Sequence, residues 1–113
     1  MDCIFCKIIN GELPSDALYQ DQEIMAFRDI NPMAPVHILI IPKEHIISLA
    51  NLKDEQTVVI GEMVKLANEL ARREGISERG YRLVISSGIE GGQVIPHLHM
   101  HLLGGRVLSS KLY

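Results

Sequence analysis

The sequence predicts an α+β domain in which an antiparallel sheet of five strands packs against one long helix. The first observation is the order of the predicted elements, with three strands before the helix and two after it, joined by short turns. The second is that residues 94–102 alternate between apolar and polar side chains, as a strand with one face in the core does. A length of 113 residues fits a single domain, with predicted bounds 1–113.

Glycine, proline and polar clusters divide the first half of the chain into short elements. Residues 8–14 predict a helical turn, because a glycine and a proline follow its apolar start. The two prolines within residues 31–35 predict a stiff loop, since proline fixes its own φ and biases the preceding residue toward extended backbone. The predicted strands of this half, two of which form a hairpin, are residues 18–20, 24–29 and 37–42.

One long helix is predicted between Asp54, a good N-cap residue, and Gly75, which can adopt the left-handed conformation that follows many helix ends. An apolar stripe at helical spacing indicates that this helix packs on the sheet, and it consists of Val59, Met63, Leu66, Ala67 and Leu70. After the helix, residues 81–86 predict a fourth strand. Residues 88–92 then predict a flexible turn that leads into the strand over 94–102.

The composition limits the function classes. Apolar residues make up 47% of the chain and charged residues 22%, which is ordinary for a soluble globular protein. The net charge of −3 argues against non-specific binding of nucleic acid. The first residues resemble no signal peptide, and no apolar run is long enough to span a membrane. We therefore expect a cytoplasmic protein with neither a nucleic-acid nor a membrane partner.

Three of the five histidines, His97, His99 and His101, lie on one face of the last predicted strand. The opposite face carries Val94, Pro96, Leu98, Met100 and Leu102. Because three adjacent imidazoles are costly to hold as cations, we expect neutral, hydrogen-bonded rings poised near neutral pH. This pattern favours a functional role for the strand.

The spacing of these histidines limits their chemistry. The Cα atoms of His97 and His101 are about 13 Å apart on an extended strand, so the three rings cannot all reach one metal ion at about 2 Å. A division of roles is more plausible, with one histidine as nucleophile and the others orienting it. An imidazole nitrogen attacks phosphorus well and leaves well from the phosphorylated intermediate.

The two cysteines form the motif Cys3-x-x-Cys6. A disulfide is disfavoured in a reducing compartment, and a thioredoxin-like motif would follow a strand inside a βαβ unit. From these residues alone, two interpretations stay open. The cysteines are either half of a zinc site or a pair of thiols packed among apolar side chains.

Four ordered blocks of the chain resemble the histidine triad (HIT) family, and together they extend over nearly the whole sequence. The triad block is residues 91–106, GGQVIPHLHMHLLGGR, and the other blocks are residues 3–8, 26–30 and 35–45. The Gly-Gly-Arg after the triad resembles the Hint branch of the family. The resemblance implies a HIT-like fold and a homodimer in which two sheets join edge to edge about a two-fold axis.

The resemblance also implies a nucleotide-binding hydrolase or transferase that acts on the α-phosphate of purine nucleoside phosphoramidates or related nucleotidyl conjugates. Such an enzyme releases AMP or GMP through a nucleotidyl-histidine intermediate. By position, His99 matches the nucleophile, and the other catalytic residues are His37, His97 and His101.

A nucleotide pocket follows from the same resemblance. Asp29 matches the acid that binds ribose hydroxyls, and Gln93 lies where the family holds the phosphate. The apolar walls around the base match Phe5, Ile8, Phe27 and Ile30. Two positions depart from the Hint pattern, since Val94 replaces a serine and Ser86 replaces a common asparagine. These departures affect the expected turnover and substrate preference, because losing one transition-state hydrogen bond costs on the order of 10²–10³ in rate.

For the cysteines, the resemblance implies one structural zinc ion per chain, held by Cys3, Cys6, His45 and His97. Three alternative functions stay open at this point. The first is a nucleotide-binding regulator with low turnover, and the second is a dinucleoside polyphosphate hydrolase. The third is a catalytic zinc hydrolase in which His97 and His99 hold the metal.

Overall fold

The computed structural model describes residues 2–111, so three residues of the predicted domain 1–113 lie outside the described range. Five antiparallel strands form one sheet, in which the first, second, third, fifth and fourth strands of the sequence lie side by side in that order. This confirms the predicted α+β fold with its five-stranded sheet and one long helix. The elements are α1 (Ile4–Ile9), β1 (Ala17–Gln20), β2 (Ile24–Arg28), β3 (Val36–Pro42), α2 (Thr57–Arg73), β4 (Tyr81–Val84) and β5 (Met100–Gly104).

The sheet carries a core on each face. The larger core lies between the sheet and α2, and Leu98, Met100 and Leu102 belong to it, as the alternating pattern predicted. The smaller core lies on the face covered by α1 and consists of Cys3, Phe5, Met25, Phe27, Leu39 and Ile41. All seven residues of β3 are buried, because neighbouring side chains of this central strand enter opposite cores. Neither helix within residues 2–111 is suited by length and apolarity to cross a membrane.

The C-terminal end of α2 forms as the sequence predicts. Gly75 has φ 75°, and its N–H donates to the carbonyl of Arg72 at 3.2 Å. The next N–H, of Ile76, donates to the carbonyl of Ala71 at 3.0 Å. These two bonds make a Schellman motif, which satisfies two of the carbonyls left without partners at a helix end.

The predicted start of α2 is wrong, because a short 3₁₀ turn lies where the α-helix was expected to begin. Asp54 is not the N-cap of the α-helix but the first residue of a 3₁₀ turn, Asp54–Gln56, that precedes Thr57. The hydroxyl of Thr57 donates to the carbonyl of Asp54 at 2.7 Å, so Asp54 contributes through its backbone.

Two further predicted elements differ from the structure by more than two residues at an end. The first helix spans Ile4–Ile9 instead of residues 8–14, because Cys3 caps it with a sulfur that accepts from the Cys6 N–H at 3.4 Å. The last strand begins at Met100 instead of residue 94. The N–H of Leu98 donates to the carbonyl of Ile46 at 2.7 Å, outside the sheet ladder. Consequently His97 and His99 precede β5, and Val94, at 89% exposure, is no core residue.

Candidate active site

Three imidazoles and one carboxylate meet on the α1 face of the sheet. His37 lies on β3 and His101 on the neighbouring β5, and their Nε2 and Nδ1 atoms are 2.9 Å apart. The ring of His99 lies 5.1 Å from the ring of His101, measured between centroids. Asp29 completes the group, with its Oδ2 atom 3.4 Å from His37 Nε2.

Backbone groups fix the tautomers of these rings. The N–H of Met33 donates to His37 Nδ1 at 3.0 Å, so a neutral His37 carries its hydrogen on Nε2 and donates it to His101. His101 then carries its own hydrogen on Nε2. The carbonyl of His97 accepts from His99 Nδ1 at 2.7 Å. A neutral His99 therefore presents an unprotonated Nε2, the form of imidazole that acts as a nucleophile.

Burial keeps the supporting rings neutral. The pKa of His101 is lowered to about 4, chiefly by desolvation and further by the nearby His99 and His37, while Asp29 opposes the shift. Desolvation also lowers the pKa of His37, while Asp29 opposes that shift. For His101 the expectation of a neutral, hydrogen-bonded ring is met. The pKa of His101, however, lies well below neutral pH and not near it.

The wall of an apolar cavity of about 400 Å³ includes Phe5, whose ring packs against that of His99, and Asp29, the carboxylate beside His37. Five of the predicted nucleotide-binding residues line it, namely Phe5, Ile8, Phe27, Asp29 and Ile30. The rings of Phe5 and Phe27 are buried and meet edge to face at 5.7 Å between centroids. Ile30 is 86% exposed and lies at the rim. The structure therefore places an apolar pocket and a carboxylate next to the imidazole group.

The three remaining nucleotide-binding candidates do not line this cavity. Gln93 makes hydrogen bonds with backbone groups only, through both ends of its carboxamide. Val94 follows it with an exposed side chain. Ser86 is half-buried, and the neighbouring Ser87 accepts a hydrogen bond from the Ala50 N–H at 3.4 Å.

A second cluster lies on the other side of Phe5, where Cys3, Cys6, His45 and His97 bring four possible ligand atoms within 4.8 Å of one another. The Nδ1 atoms of His45 and His97 are 3.1 Å apart. Each also lies 3.3 Å from a sulfur, His97 from Cys3 and His45 from Cys6. A tetrahedral zinc ion separates two nitrogen ligands by about 3.3 Å and a nitrogen from a sulfur by about 3.6 Å. The four residues therefore fit a zinc ion.

The outer nitrogen of His97 supports this fit. Its Nε2 atom donates to the carbonyl of Pro42 at 2.8 Å, which leaves an unprotonated Nδ1 facing the cluster. Burial lowers the pKa of His97, which favours this neutral form. A metal also requires thiolates, and burial together with the neighbouring Cys3 raises the pKa of the Cys6 thiol while no cation is bound.

Asp29, His37 and His101 form another group with spacing suited to a metal. The bond from Met33 decides against one there, because it places the hydrogen of His37 on the nitrogen that faces the other two residues. That nitrogen is a donor and not a ligand in this tautomer.

His97 was predicted both as a catalytic residue and as a metal ligand, and the structure separates the two parts of the residue. Its ring faces the cysteines, whereas its carbonyl holds His99. The ring of Phe5 lies between the two groups, 5.7 Å from the ring of His97 and 5.2 Å from that of His99. A shared metal held by His97 and His99 does not fit these contacts.

Several groups of the site were absent from the sequence-based prediction. The N–H of Met33 and the carbonyl of His97 are backbone atoms, and no residue type signals them. Only the two prolines around Met33 pointed to a loop of fixed conformation. The cavity also includes Ile4, Leu13, Leu39 and Ile95.

A small antiparallel sheet with clustered imidazoles beside an apolar pocket defines the class of protein, an α+β domain equipped for histidine chemistry on a small ligand. A sequence profile of the HIT domain matches residues 10–108. A purine nucleoside phosphoramidase of Escherichia coli (strain K12) is 49% identical over 111 residues, which cover 98% of this chain and 93% of that protein. The chain belongs to the histidine triad family.

Two further relatives bear on the fold and on the cysteine cluster. A solved HIT family hydrolase of Clostridium thermocellum superposes with a TM-score of 0.95 at 46% identity, covering 99% of this chain and 97% of that one. A 14 kDa zinc-binding protein of Zea mays is 46% identical over 108 residues, or 94% of this chain and 84% of the maize protein.

Proposed function

We propose that this chain is a nucleotidyl hydrolase that cleaves purine nucleoside phosphoramidates or related nucleotidyl conjugates and releases AMP or GMP. The observation that carries the proposal is the hydrogen bond from His99 Nδ1 to the carbonyl of His97 at 2.7 Å. It fixes the ring and leaves Nε2 unprotonated at the active-site histidine group. The E. coli relative, a purine nucleoside phosphoramidase, supports this substrate class.

The reaction proceeds in two displacements. In the first, Nε2 of His99 attacks the α-phosphorus and forms an N–P bond, while the P–N bond of the substrate breaks and its nitrogen takes up one proton from water. In the second, a water molecule attacks the same phosphorus and loses a proton to solvent. The bond to His99 breaks, and the nucleoside monophosphate leaves.

Groups next to His99 stabilise the nucleotidyl-histidine intermediate. The carbonyl of His97 accepts from Nδ1–H throughout, which stabilises the positive charge that the ring gains when Nε2 is nucleotidylated. His37 and His101 stay neutral because of their burial. His101 therefore presents its Nε2–H to the site as a donor without adding charge, while His37 orients the His101 ring through its own Nε2–H.

The nucleotide binds across the cavity and the loop before the triad. The base lies between Phe5, Ile8, Phe27 and Ile30, and the ribose hydroxyls donate to the carboxylate of Asp29. The apolar lining and the place of Asp29 in the wall of the same cavity support this arrangement. Gln93, Val94 and Ser86 belong to the phosphate side, where the backbone N–H of Val94 takes the place of a serine hydroxyl.

We also propose one structural zinc ion per chain, bound by Cys3, Cys6, His45 and His97. The donor spacing supports zinc, as does the zinc-binding maize relative. When bound, the ion supplies cross-linking and no chemistry, since four protein ligands leave no open position. The residues themselves then tie the segment before α1 to the loop after β3.

The remaining proposals concern assembly and location. The chain is a single HIT domain that forms a homodimer, in which the sheets join edge to edge. The edge position of β4 and the exposure of Val58 on α2, at 70%, support a partner surface there. We place the protein in the cytoplasm, without a nucleic-acid or membrane partner, in line with its net charge of −3.

The deciding experiment compares adenosine 5′-phosphoramidate with dinucleoside polyphosphates as substrates of the purified full chain. We expect hydrolysis of the phosphoramidate at the higher kcat/KM, with AMP as the product. Faster cleavage of dinucleoside polyphosphates would reassign the substrate class. Tight AMP binding without cleavage of either substrate would favour a regulatory nucleotide-binding protein. The absence of a serine hydroxyl at Val94 is the sequence feature that supports this alternative.

A further inference from the structure

The side chain of Gln93 holds three separate pieces of backbone together. Its Oε1 atom accepts from the Gly88 N–H at 2.9 Å. Its Nε2 atom donates to the carbonyl of Ile47 at 2.7 Å and to that of Ile95 at 3.0 Å. A carboxamide has only two N–H donors, and both are used here. Gln93 therefore has no donor left for a phosphate oxygen.

The loop that Gln93 closes is compact. The N–H of Gln93 donates to the carbonyl of Gly88 at 3.0 Å, and that of Gly92 donates to the carbonyl of Ile89 at 3.0 Å. Gly91 lies against the preceding backbone so closely that a Cβ atom there would be 2.4 Å from the Ser87 oxygen. The path of the loop is thus set by its own backbone contacts together with the Gln93 carboxamide.

Two more hydrogen bonds join this loop to the segment after His45. The N–H of Leu98 donates to the carbonyl of Ile46 at 2.7 Å, and the N–H of Ala50 donates to Ser87 Oγ at 3.4 Å. The Gln93 bond to Ile47 lies between them in sequence. Together the three bonds form a seam between residues 46–50 and 87–98, and Gln93 provides its central link.

We propose that Gln93 is a positioning residue for the hydrolase reaction, which acts by fixing the phosphate loop and not by touching the substrate. The inference rests on the proposed function. Within residues 2–111, the Val94 N–H donates to no protein acceptor. Val94 directly follows Gln93 in the chain, so the hydrogen bonds of Gln93 also fix the position of this N–H. The Gln93 side chain holds this N–H in place, so that it can donate to the α-phosphate without rearrangement in the transition state.

The test compares two substitutions at this position with one control. Gln93→Met removes all three side-chain bonds. Gln93→Glu keeps an acceptor for the Gly88 N–H. It replaces the donor to the carbonyls of Ile47 and Ile95 by a carboxylate oxygen, which those carbonyls repel. Gln22→Glu makes the same charge change at an exposed residue outside the site. The readouts are hydrogen exchange of the loop amides by NMR, followed residue by residue, and kcat and KM for adenosine 5′-phosphoramidate.

We expect Gly88 amide exchange to become up to about tenfold faster in Gln93→Met, the factor that corresponds to one lost hydrogen bond. In both Gln93 variants kcat should fall about 10- to 100-fold, less than the loss of a whole donor would cause, with KM changed by less than about threefold. The Gln22→Glu variant should match the wild type in both readouts.

Two results would overturn the proposal. A fall in kcat with unchanged loop exchange would mean that Gln93 acts on the substrate directly. Unchanged kcat and unchanged amide exchange in both variants would mean that the side-chain hydrogen bonds of Gln93 do not fix the loop. If the wild-type protein does not hydrolyse the phosphoramidate at all, the proposed function fails. The exchange data, together with AMP binding to each variant, then still decide whether Gln93 holds the loop.

Discussion

Acidification should destabilise the folded protein through His101, and replacing that residue should remove part of the effect. The pKa of the folded His101 is about 4, against 6.5 for an unperturbed histidine. Between these values the unfolded chain binds a proton that the folded chain does not, so stability falls as the pH falls from 6.5 to 4. Above pH 6.5 both states are neutral at this residue, and it contributes no pH dependence.

The size of the effect follows from that pKa difference. At 1.36 kcal/mol for each pH unit between the two values, the upper limit is about 3 kcal/mol. The ring keeps partial contact with solvent, so screening reduces the expected loss to about 1.5–2 kcal/mol. Other histidines, including the buried His37, add to the loss of unfolding free energy that the wild-type protein shows on acidification.

The assay is urea unfolding of wild type and of His101→Gln at pH 7 and at pH 4.5. Gln is neutral at both pH values, and any protonation of the cysteine cluster affects both proteins alike. We expect the free energy of unfolding of the wild type to fall by about 1.5 kcal/mol more than that of the variant. Equal losses would refute the link between the burial of His101 and its pKa.

Three other predictions concern stability and assembly. Cys3→Ser should remove zinc, measured by elemental analysis, and lower the Tm more than it lowers kcat; a zinc-free wild type would return the cysteines to a packing role. Leu98→Ala, at a fully buried position, should cost about 2–5 kcal/mol in urea unfolding, whereas Val107→Ala at 91% exposure should cost less than about 0.5 kcal/mol. Equal costs would argue against the core position of Leu98. Light scattering at micromolar concentration should give the mass of a homodimer, and an active monomer would contradict the proposed assembly.

Local chemistry made much of the fold predictable. The end of α2 follows from Gly75, since a residue with positive φ is what the Schellman motif requires. The positions of Leu98, Met100 and Leu102 in the larger core follow from their alternation with histidines. Both signals depend on a few consecutive residues, and tertiary contacts do not override them.

The wrong boundaries have tertiary causes. The strand over residues 94–102 fails at its start because the Leu98 N–H bonds to Ile46, a residue 52 positions earlier in the sequence, and no local pattern reveals that contact. The first helix was placed too late because a cysteine is an unusual helix cap, and Cys3, one of the four clustered cysteines and histidines, serves as one.

The site was predictable in its residue types but not in its proton positions. The HIT resemblance assigned the cysteines and histidines to their groups, and the structure brings those groups together. The tautomers of His37 and His99 depend on the Met33 N–H and the His97 carbonyl. Because every residue has such backbone groups, their arrangement emerges only from the folded chain.

Covalent catalysis by His99 is tested most directly by mass spectrometry of the protein quenched during turnover of adenosine 5′-phosphoramidate. Quenching at alkaline pH preserves a nucleotidyl group on nitrogen, and peptide mapping then locates it. We predict an adenylyl adduct on His99 in the wild type, and in His99→Ala neither adduct nor turnover, with AMP binding retained by calorimetry. An adduct on another residue, or turnover by His99→Ala at the wild-type rate, would contradict the mechanism.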